Sequence, residues 1–247
     1  MKDIIMLSLV IPVYNEEKII AETIQTVKTY MEDNYKDDYE VIFVNDGSTD
    51  NTQKIAEGLS GGNIITLSYE KNKGKGGAVR EGMLAARGDI IFYTDCDLAY
   101  GLDVVRQGYE LFLKNTKTDV VMGSRRKHKN GYAGYTLIRK IMSVTFLYIL
   151  KIYGGIKQSD SQNGMKGFRK EAAKKIFGLC EVNGWIFDFE ALLIARKLKL
   201  KIEEMPVTII NHRDSKIDPM KDSIKMLKEI PKIKKRVKKL FSDKGDN

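Results

Sequence analysis

The chain has 247 residues, a formal net charge of +9 at pH 7, two cysteines and two histidines. Its length suffices for one α/β domain with a full core, and its charge favours an anionic partner such as a phosphate-bearing substrate, an acidic lipid surface or nucleic acid. Two cysteines are too few for a disulfide framework and form no zinc spacing with the histidines, which excludes disulfide-rich and zinc-finger proteins and favours a reducing cytosol.

Short β-rich runs alternate with helix-length amphipathic segments along the chain. The predicted strands are residues 7–11, 40–44, 63–67, 90–94 and 119–122, with a further strand-like segment at 201–210. This alternation is typical of parallel strands joined by right-handed helical crossovers. The predicted fold class is therefore α/β, with a Rossmann-like, mostly parallel sheet flanked by helices and a ligand crevice beyond the carboxyl ends of its strands.

Polar or glycine-rich segments follow the first four predicted strands. They are residues 12–16, 45–50, 72–77 and 95–97. Taken singly, such segments are explained by helix caps, tight turns and a hinge. Four of them in register with four strands favour a shared binding crevice, because independent turns do not need to converge.

Asp95 and Asp97 close the fourth predicted strand, two residues apart. Side chains at i and i+2 of an extended segment share a face, and paired carboxylates suit Mg²⁺ or Mn²⁺ with open positions for phosphate oxygens. A chance pair of acids in a loop is the alternative interpretation. Together with the other strand ends, the pair predicts a metal–diphosphate site that binds a nucleotide-sugar.

Further candidate residues lie in the second half of the chain. Arg125 follows the fifth predicted strand and is a candidate anion clamp, and Arg213 and Lys216 add two cations after the strand-like segment. Residues 159–168 form a polar segment punctuated by glycine. Asp188 opens a later helix and is the candidate catalytic carboxylate, although an acid in a first helical turn also simply complements the helix dipole.

Two amphipathic segments bear on membrane attachment. Residues 137–153 are apolar around most of a helical circumference, which fits either a membrane-interface helix or a buried core helix. Residues 221–239 are strongly basic. Their apolar stripe consists of Ile224, Leu227, Ile230 and Ile233. We expect a cytoplasmic protein that associates peripherally with an anionic membrane surface and binds no nucleic acid, since no nucleic-acid-binding signature accompanies the charge.

The chain is expected neither to cross a bilayer nor to be secreted. No apolar run reaches the about 20 residues of a membrane-spanning helix, and the first residues show no signal-peptide pattern. We predict an α/β domain over residues 1–217, which includes the segment 137–153, and a basic amphipathic helix with a tail over residues 218–247.

Eight ordered motifs between Leu7 and about Ile230 carry a resemblance to a known family. The motifs are Pro12-Val13-Tyr14-Asn15-Glu16, Asp46-Gly47-Ser48-Thr49-Asp50, Gly74-Lys75-Gly76-Gly77-Ala78-Val79-Arg80, Asp95-x-Asp97, Gly123-Ser124-Arg125, Gln162-x-Gly164-x-Lys166, Trp185-x-Phe187-Asp188 and Ser215-Lys216. Together they resemble the family 2 glycosyltransferases of GT-A fold, and among these the polyprenyl-phosphate sugar synthases. The resemblance implies a metal-dependent hexosyltransferase.

The resemblance also implies roles for individual residues. The residues that would bind the nucleotide are Pro12, Tyr14, Glu16, Val44, Asp46, Lys75 and Cys96. Asp95 and Asp97 would bind Mg²⁺ or Mn²⁺, and Asp97 and Asp188 would be the catalytic carboxylates. The residues that would bind phosphate or the acceptor are Arg125, Gln162, Arg213 and Lys216.

The implied reaction is an inverting transfer of a hexose, with glucose from UDP-glucose favoured, to a polyprenyl or dolichyl monophosphate at the cytoplasmic membrane face. Ala99 resembles the glucosyl branch more than the mannosyl branch, whereas Asn45 replaces an aspartate of many relatives and leaves base recognition open. The alternatives are GDP-mannose as donor, a carbohydrate or lipid hydroxyl as acceptor, and a catalytically silent nucleotide-sugar binding protein.

Overall fold

The computed structural model describes residues 5–132, 137–211 and 219–242. Its strands are β1 (Leu7–Val13), β2 (Tyr39–Asp46), β3 (Ile64–Tyr69), β4 (Ile90–Tyr93), β5 (Val120–Ser124), β6 (Lys166–Arg169) and β7 (Ile202–Pro206). They form one sheet in the order β3-β2-β1-β4-β6-β5-β7. β1 to β4 are parallel, β6 runs antiparallel to both neighbours, and β7 is parallel to β5. The predicted mostly parallel α/β sheet is confirmed.

Helices cover both faces of this sheet. They are α1 (Ile20–Tyr35), α2 (Thr52–Gly58), α3 (Lys75–Ala85), α4 (Asp103–Lys114), α5 (Leu137–Gly154), α6 (Lys170–Phe177), α7 (Phe187–Lys197) and α8 (Pro219–Ser242). One hydrophobic cluster lies between the sheet and α3, α6 and α7, and a second lies between the sheet and α1 and α4.

The central strand β1 shows why this sequence forms a sheet with helices on both faces. Leu9 and Ile11 belong to the cluster beneath α1 and α4, and Val10 between them belongs to the cluster beneath α3. Both faces are buried, so the strand is apolar at nearly every position. Gly82 lets α3 approach closely, since a Cβ at this position would lie 2.8 Å from the side chain of Val44.

The antiparallel strand β6 was not among the predicted strands, and its first three residues fall in the polar, glycine-punctuated segment 159–168. The strand has four residues, begins with a lysine and contains a glycine, so it has no strand-like pattern of its own. Gly167 packs against the ring of Phe92, where a side chain would clash. Because Lys166 pairs with Tyr93, the loop before β6 lies beside the residues that follow β4.

Helix α5 confirms the helix predicted at residues 137–153, one part of which packs in the core, while contact with a membrane stays a prediction. Leu150 is fully buried and belongs to the core, whereas Tyr148 and Ile152 are exposed. Among the described residues, no helix is long and apolar enough to cross a membrane. An exposed apolar face on an otherwise packed helix is typical of a surface that contacts another molecule.

Helix α8 departs from the prediction. Ile230 and Ile233 of the predicted apolar stripe are buried in the core together with Val237, and α8 packs on α7 and α5. Leu227, Ile230 and Ile233 therefore face the protein, and on this part of the helix the basic side is available to an anionic surface. The predicted division between residues 217 and 218 stays a prediction, because residues 212–218 lie outside the described ranges.

Candidate active site

The carboxyl ends of β1 and β4 lie side by side where the strand order of the sheet reverses, which is where open α/β sheets bind ligands. The amide of Thr94 donates to the carbonyl of Val10 at 3.1 Å and aligns the two strand ends. Asp95 and Asp97 lie on the turn that follows β4 rather than on an extended strand, which corrects the predicted geometry. Both are partly exposed at this edge.

Lys75, at the start of α3, forms an ion pair with Asp95, with 2.5 Å between Nζ and Oδ1. Burial alone would lower the pKa of Lys75, but the carboxylates of Asp95, Asp188 and Asp97 outweigh it and raise the pKa. The ammonium also lies 5.1 Å from the ring centroid of Trp185. Lys75 is therefore a protonated lysine within electrostatic reach of all three predicted acidic site residues.

The glycines at the start of α3 are needed by the loop that carries Trp185. The amide of Gly76 donates to the carbonyl of Asn183 at 2.8 Å. A Cβ on Gly76 would lie 2.5 Å from Cβ of Phe187, and one on Gly74 would lie 2.6 Å from the carbonyl oxygen of Asn183. The glycine cluster is therefore a packing site that joins the start of α3 to the start of α7.

The implied Mg²⁺ or Mn²⁺ fits the side chains at this edge. Carboxylate oxygens are the hard donors that these ions prefer, and in sites that act on phosphates one or two carboxylates hold the ion together with the substrate. Within the described ranges, no group of three or more His, Cys, Asp or Glu side chains forms a complete protein site. Asp97 and the second oxygen of Asp95 are the donors that would share an ion with a diphosphate.

Asp188 lies in the first turn of α7 and is almost fully buried. Its Oδ1 accepts a hydrogen bond from the hydroxyl of Tyr93 and lies 2.8 Å from Nζ of Lys166. Burial and then the charge of Asp188 raise the pKa of Tyr93 well above its ordinary value, so the phenol stays a donor. The predicted catalytic carboxylate is thus held at one oxygen by two donors.

Tyr93 and Lys166 are site residues that were not among the predicted site residues. Tyr93 stands two residues before Asp95, so the alternation of side chains along a strand was a usable signal for the tyrosine. Lys166 ends the motif Gln162-x-Gly164-x-Lys166 that carries the family resemblance, but its burial follows only from the pairing of β6, because lysine is almost always exposed.

Arg125 holds the loop before β6. Its Nε and Nη2 donate to the two carboxylate oxygens of Asp160, both at 2.7 Å, and its amide donates to Oδ2 at 2.9 Å. Both side chains are buried. The carboxylate of Asp160 compensates the charge of Arg125, and a phosphate contact of Arg125 stays a prediction beside this structural role.

Gln162, predicted to contact the acceptor, lies in a polar loop that passes beside the carboxylate of Asp95. Gly164 packs so closely on the carboxylate of Asp95 that a Cβ would clash. Nε2 of Gln162, Oγ of Ser161 and Nδ2 of Asn163 are buried and have no hydrogen-bond partner in the described part of the chain. These buried atoms lie in the loop whose Gly164 packs on Asp95, and the predicted contact of Gln162 with the acceptor stays a prediction.

The predicted nucleotide-binding residues after β1 are accessible. Pro12 and Glu16 are partly exposed and Tyr14 is exposed at the carboxyl end of the strand. Val44 is fully buried with its side chain against Gly82 of α3, and its predicted role in nucleotide binding stays a prediction. Cys96 is also buried, and burial raises the pKa of its thiol to about 12, which leaves it neutral and turned away from solvent.

Asp46 is buried and orders the loop before α3. Its carboxylate accepts hydrogen bonds from the amides of Lys73 at 2.7 Å and Gly74 at 2.8 Å, and from the hydroxyl of Tyr69 at 2.7 Å. A nucleoside contact of Asp46 stays a prediction beside this structural role. The predicted phosphate ligands Arg213 and Lys216 lie outside the described residues.

Comparison with known proteins agrees with this geometry. Residues 8–177 match the family described as glycosyl transferase family 2. Dolichyl-phosphate beta-glucosyltransferase from Saccharomyces cerevisiae is 34% identical, and the match covers 92% of this chain and 73% of the yeast protein. UDP-N-acetylglucosamine–dolichyl-phosphate N-acetylglucosaminyltransferase from Methanococcus voltae is 31% identical, with 83% of this chain and 86% of its own length covered.

A solved structure shares the fold. Glucosyl-3-phosphoglycerate synthase from Mycobacterium tuberculosis, in complex with Mn²⁺, UDP and glucosyl-3-phosphoglycerate, superimposes with a TM-score of 0.69 at 19% identity. The match covers 92% of this chain and 78% of that one. The predicted GT-A type fold and the predicted family are confirmed: the chain belongs to glycosyl transferase family 2.

Proposed function

We propose that this enzyme transfers glucose from UDP-glucose to a polyprenyl monophosphate, such as dolichyl phosphate, with inversion at the anomeric carbon. The yeast relative, which matches 92% of the chain, supports this substrate pair. The observation that carries the proposal is the state of Asp188, whose Oδ1 accepts hydrogen bonds from Tyr93 and Lys166. Because two donors hold Oδ1 and fix the orientation of this carboxylate, the site suits an acceptor that arrives as an anion and needs orientation rather than deprotonation.

A phosphate monoester meets this requirement. Its second pKa is near 6, so it is largely dianionic at pH 7. One phosphate oxygen attacks the anomeric carbon of glucose, the bond between that carbon and the UDP oxygen breaks, and UDP leaves with the electron pair. No proton has to be removed from the nucleophile, and Asp188 serves to orient the reacting groups.

The donor lies on the side of β1 in this proposal. Pro12, Tyr14 and Glu16 contact the nucleoside, and Asp95 and Asp97 hold Mg²⁺ or Mn²⁺. The bound ion offsets the negative charge that grows on the leaving diphosphate. Lys75 places a second positive charge beside Asp95, and its raised pKa keeps it charged through the neutral range.

A second candidate donor is UDP-N-acetylglucosamine with the same class of acceptor. It is favoured by the relative from Methanococcus voltae, whose name gives that sugar and dolichyl phosphate. The two reactions place the same charges at the diphosphate and at the nucleophile, so the metal and phosphate contacts described above serve both. The two donors differ in the substituent at the second carbon of the sugar, so the residues that contact this substituent would distinguish them.

The test is a panel of radiolabelled nucleotide-sugars, UDP-glucose, UDP-N-acetylglucosamine and GDP-mannose, offered with a short polyprenyl phosphate and scored for label in the organic phase. The matched acceptor control is the corresponding polyprenyl alcohol. We expect label from UDP-glucose with the phosphate and none with the alcohol. Transfer to the alcohol would establish a hydroxyl acceptor, and UDP binding without any transfer would establish a silent binding protein.

We further propose peripheral attachment to an anionic membrane on the cytoplasmic side. The exposed apolar face of α5 and the basic side of α8 support it. Each cation near an anionic leaflet contributes about 1 kcal/mol, so the triple change of Lys228, Lys235 and Lys239 to Gln should strongly reduce sedimentation with acidic liposomes at low salt. The matched control changes Lys36, Lys54 and Lys117 to Gln, three exposed lysines outside α8. If neither wild type nor control sediments at low salt, attachment is excluded.

A further inference from the structure

Lys166 is a fully buried lysine at the start of β6. Its Nζ lies 2.8 Å from Oδ1 of Asp188, donates to the carbonyl of Asn163 at 2.6 Å, and lies 5.5 Å from the ring centroid of Tyr93. One ammonium group therefore contacts three separate elements: the first turn of α7, the loop before β6 and the end of β4.

Stability alone does not account for a charged pair at this position. Burial lowers the pKa of Lys166, and the carboxylate of Asp188 opposes that effect. A buried ion pair is often no more stabilising than apolar side chains of similar volume, because both charges lose their hydration. Apolar side chains in place of both Lys166 and Asp188 would fill the same space without this cost.

The contact with Asp188 leaves the two oxygens of that carboxylate in different states. Oδ1 is used by Tyr93 and Lys166, whereas Oδ2 receives no hydrogen bond from the residues in the described ranges. A carboxylate that is held at one oxygen presents the other in a fixed direction. Lys166 thus determines where Asp188 can meet a ligand.

The contact with Asn163 fixes the loop in the same way. The carbonyl that accepts from Lys166 belongs to the residue before Gly164, and Gly164 packs on the carboxylate of Asp95. The backbone beside the metal carboxylates and the candidate catalytic carboxylate are therefore held by one side chain. A displacement of about 1 Å at such a site can cost about 100-fold in rate.

We propose that Lys166 is a positioning residue for the acceptor, which ties Asp188 to the carbonyl of Asn163 and so sets the place where the acceptor phosphate lies. The inference rests on the proposed function. Lys166 does not touch the substrate, since its side chain is fully buried. It acts through the groups that it holds.

The first test compares Lys166→Met with Lys174→Met. Lys174 also donates to main-chain carbonyls, those of Met83 and Ala86, but it does so at the opposite end of α3 from Lys75. Lys166→Met should raise the acceptor KM and lower the ratio of glucose transfer to UDP-glucose hydrolysis, each by about tenfold, with the donor KM unchanged within about twofold. Lys174→Met should leave all three values unchanged.

The double variant Lys166→Met/Asp188→Asn separates positioning from charge balance. Lys166→Met alone leaves a buried, unpaired carboxylate and lowers Tm, and the double variant should regain most of that loss. Its ratio of transfer to hydrolysis should stay below that of Asp188→Asn alone, because Asn163 still lacks its donor. Lys166→Arg keeps the cation and should return the ratio toward the wild-type value.

Hydrogen exchange supplies a readout that needs no turnover. Amides of residues 160–165 should exchange about tenfold faster in Lys166→Met and in the double variant than in wild type or Asp188→Asn. Unchanged exchange in this loop overturns the proposal. A double variant whose ratio of transfer to hydrolysis equals that of Asp188→Asn also overturns it. A wild-type enzyme that is inactive with polyprenyl phosphate overturns the proposed function alone, since the exchange result does not depend on the acceptor.

Discussion

The site contains two lysine–aspartate pairs that differ in their contact with solvent. The side chains of Lys75 and Asp95 are 19% and 30% exposed, whereas those of Lys166 and Asp188 are 0% and 6% exposed. The first pair joins α3 to the turn after β4, and the second joins β6 to α7. The same two chemical groups therefore occur in two environments within one crevice.

Exposure to solvent determines whether each ion pair can exchange partners. The partners of a partly exposed pair are screened by water, so Asp95 can turn to a metal and a diphosphate without leaving a buried charge behind. Breaking a buried pair leaves an unpaired charge in the protein interior. We therefore expect the exposed pair to change partners during each turnover, and the buried pair to stay intact as part of the frame around the acceptor.

The largest expected effect is on the donor side. Asp97→Ala should lower glucose transfer by about 10³-fold, because it removes a ligand of the ion that offsets charge on the leaving diphosphate. Calorimetry should also show loss of Mn²⁺-dependent UDP binding. Asp103→Ala, which changes an exposed acid on α4, is the control and should keep wild-type values. Retained rate and retained metal-dependent binding in Asp97→Ala would rule out this residue as a ligand.

Lys75→Met tests the contrast between the pairs directly. Its rate should fall by about 10-fold to 100-fold, because one positive charge beside the diphosphate is lost. Its free energy of unfolding should change by less than about 1 kcal/mol, whereas Lys166→Met should lose about 3–5 kcal/mol. Denaturant unfolding of the two variants side by side checks this, and equal losses would mean that exposure does not separate the pairs.

The smallest expected effect on rate comes from Asp188→Asn. Transfer should fall by about tenfold or less, with its pH dependence retained, since the acceptor phosphate ionises without a protein base. The measurement is the pH profile of kcat/KM for wild type and variant. Near-complete loss of activity would make Asp188 an obligatory base and would point to a hydroxyl acceptor.

The donor half of the site was predictable from sequence because its strands are buried on both faces. Residues 90–94 are apolar until the strand ends, so β4 and the acids after it were evident. Parallel strands end at one edge of a sheet, which brings Asp95 and Asp97 to the ends of β1 and β4 as predicted. For Val44, sequence position gives a strand end but not the face to which the side chain points, and the structure shows that its side chain packs on α3.

The acceptor half was less predictable because its contacts are distant in sequence. Arg125 resembles a free surface cation until the fold brings Asp160, 35 residues later, against it. The apolar stripe of α8 has the same pattern whether it meets a membrane or another helix, and only packing shows that Ile230 and Ile233 are buried. β6 is a strand because of its two neighbours and not because of its own residues.

The close approach at Gly76 has a consequence for substitution. Its amide is bonded to Asn183, and a methyl group at this position would clash with Cβ of Phe187, so the start of α3 and the start of α7 are in direct contact here. A side chain in place of Gly76 would have to push apart the start of the helix that carries Lys75 and the start of the helix that carries Asp188.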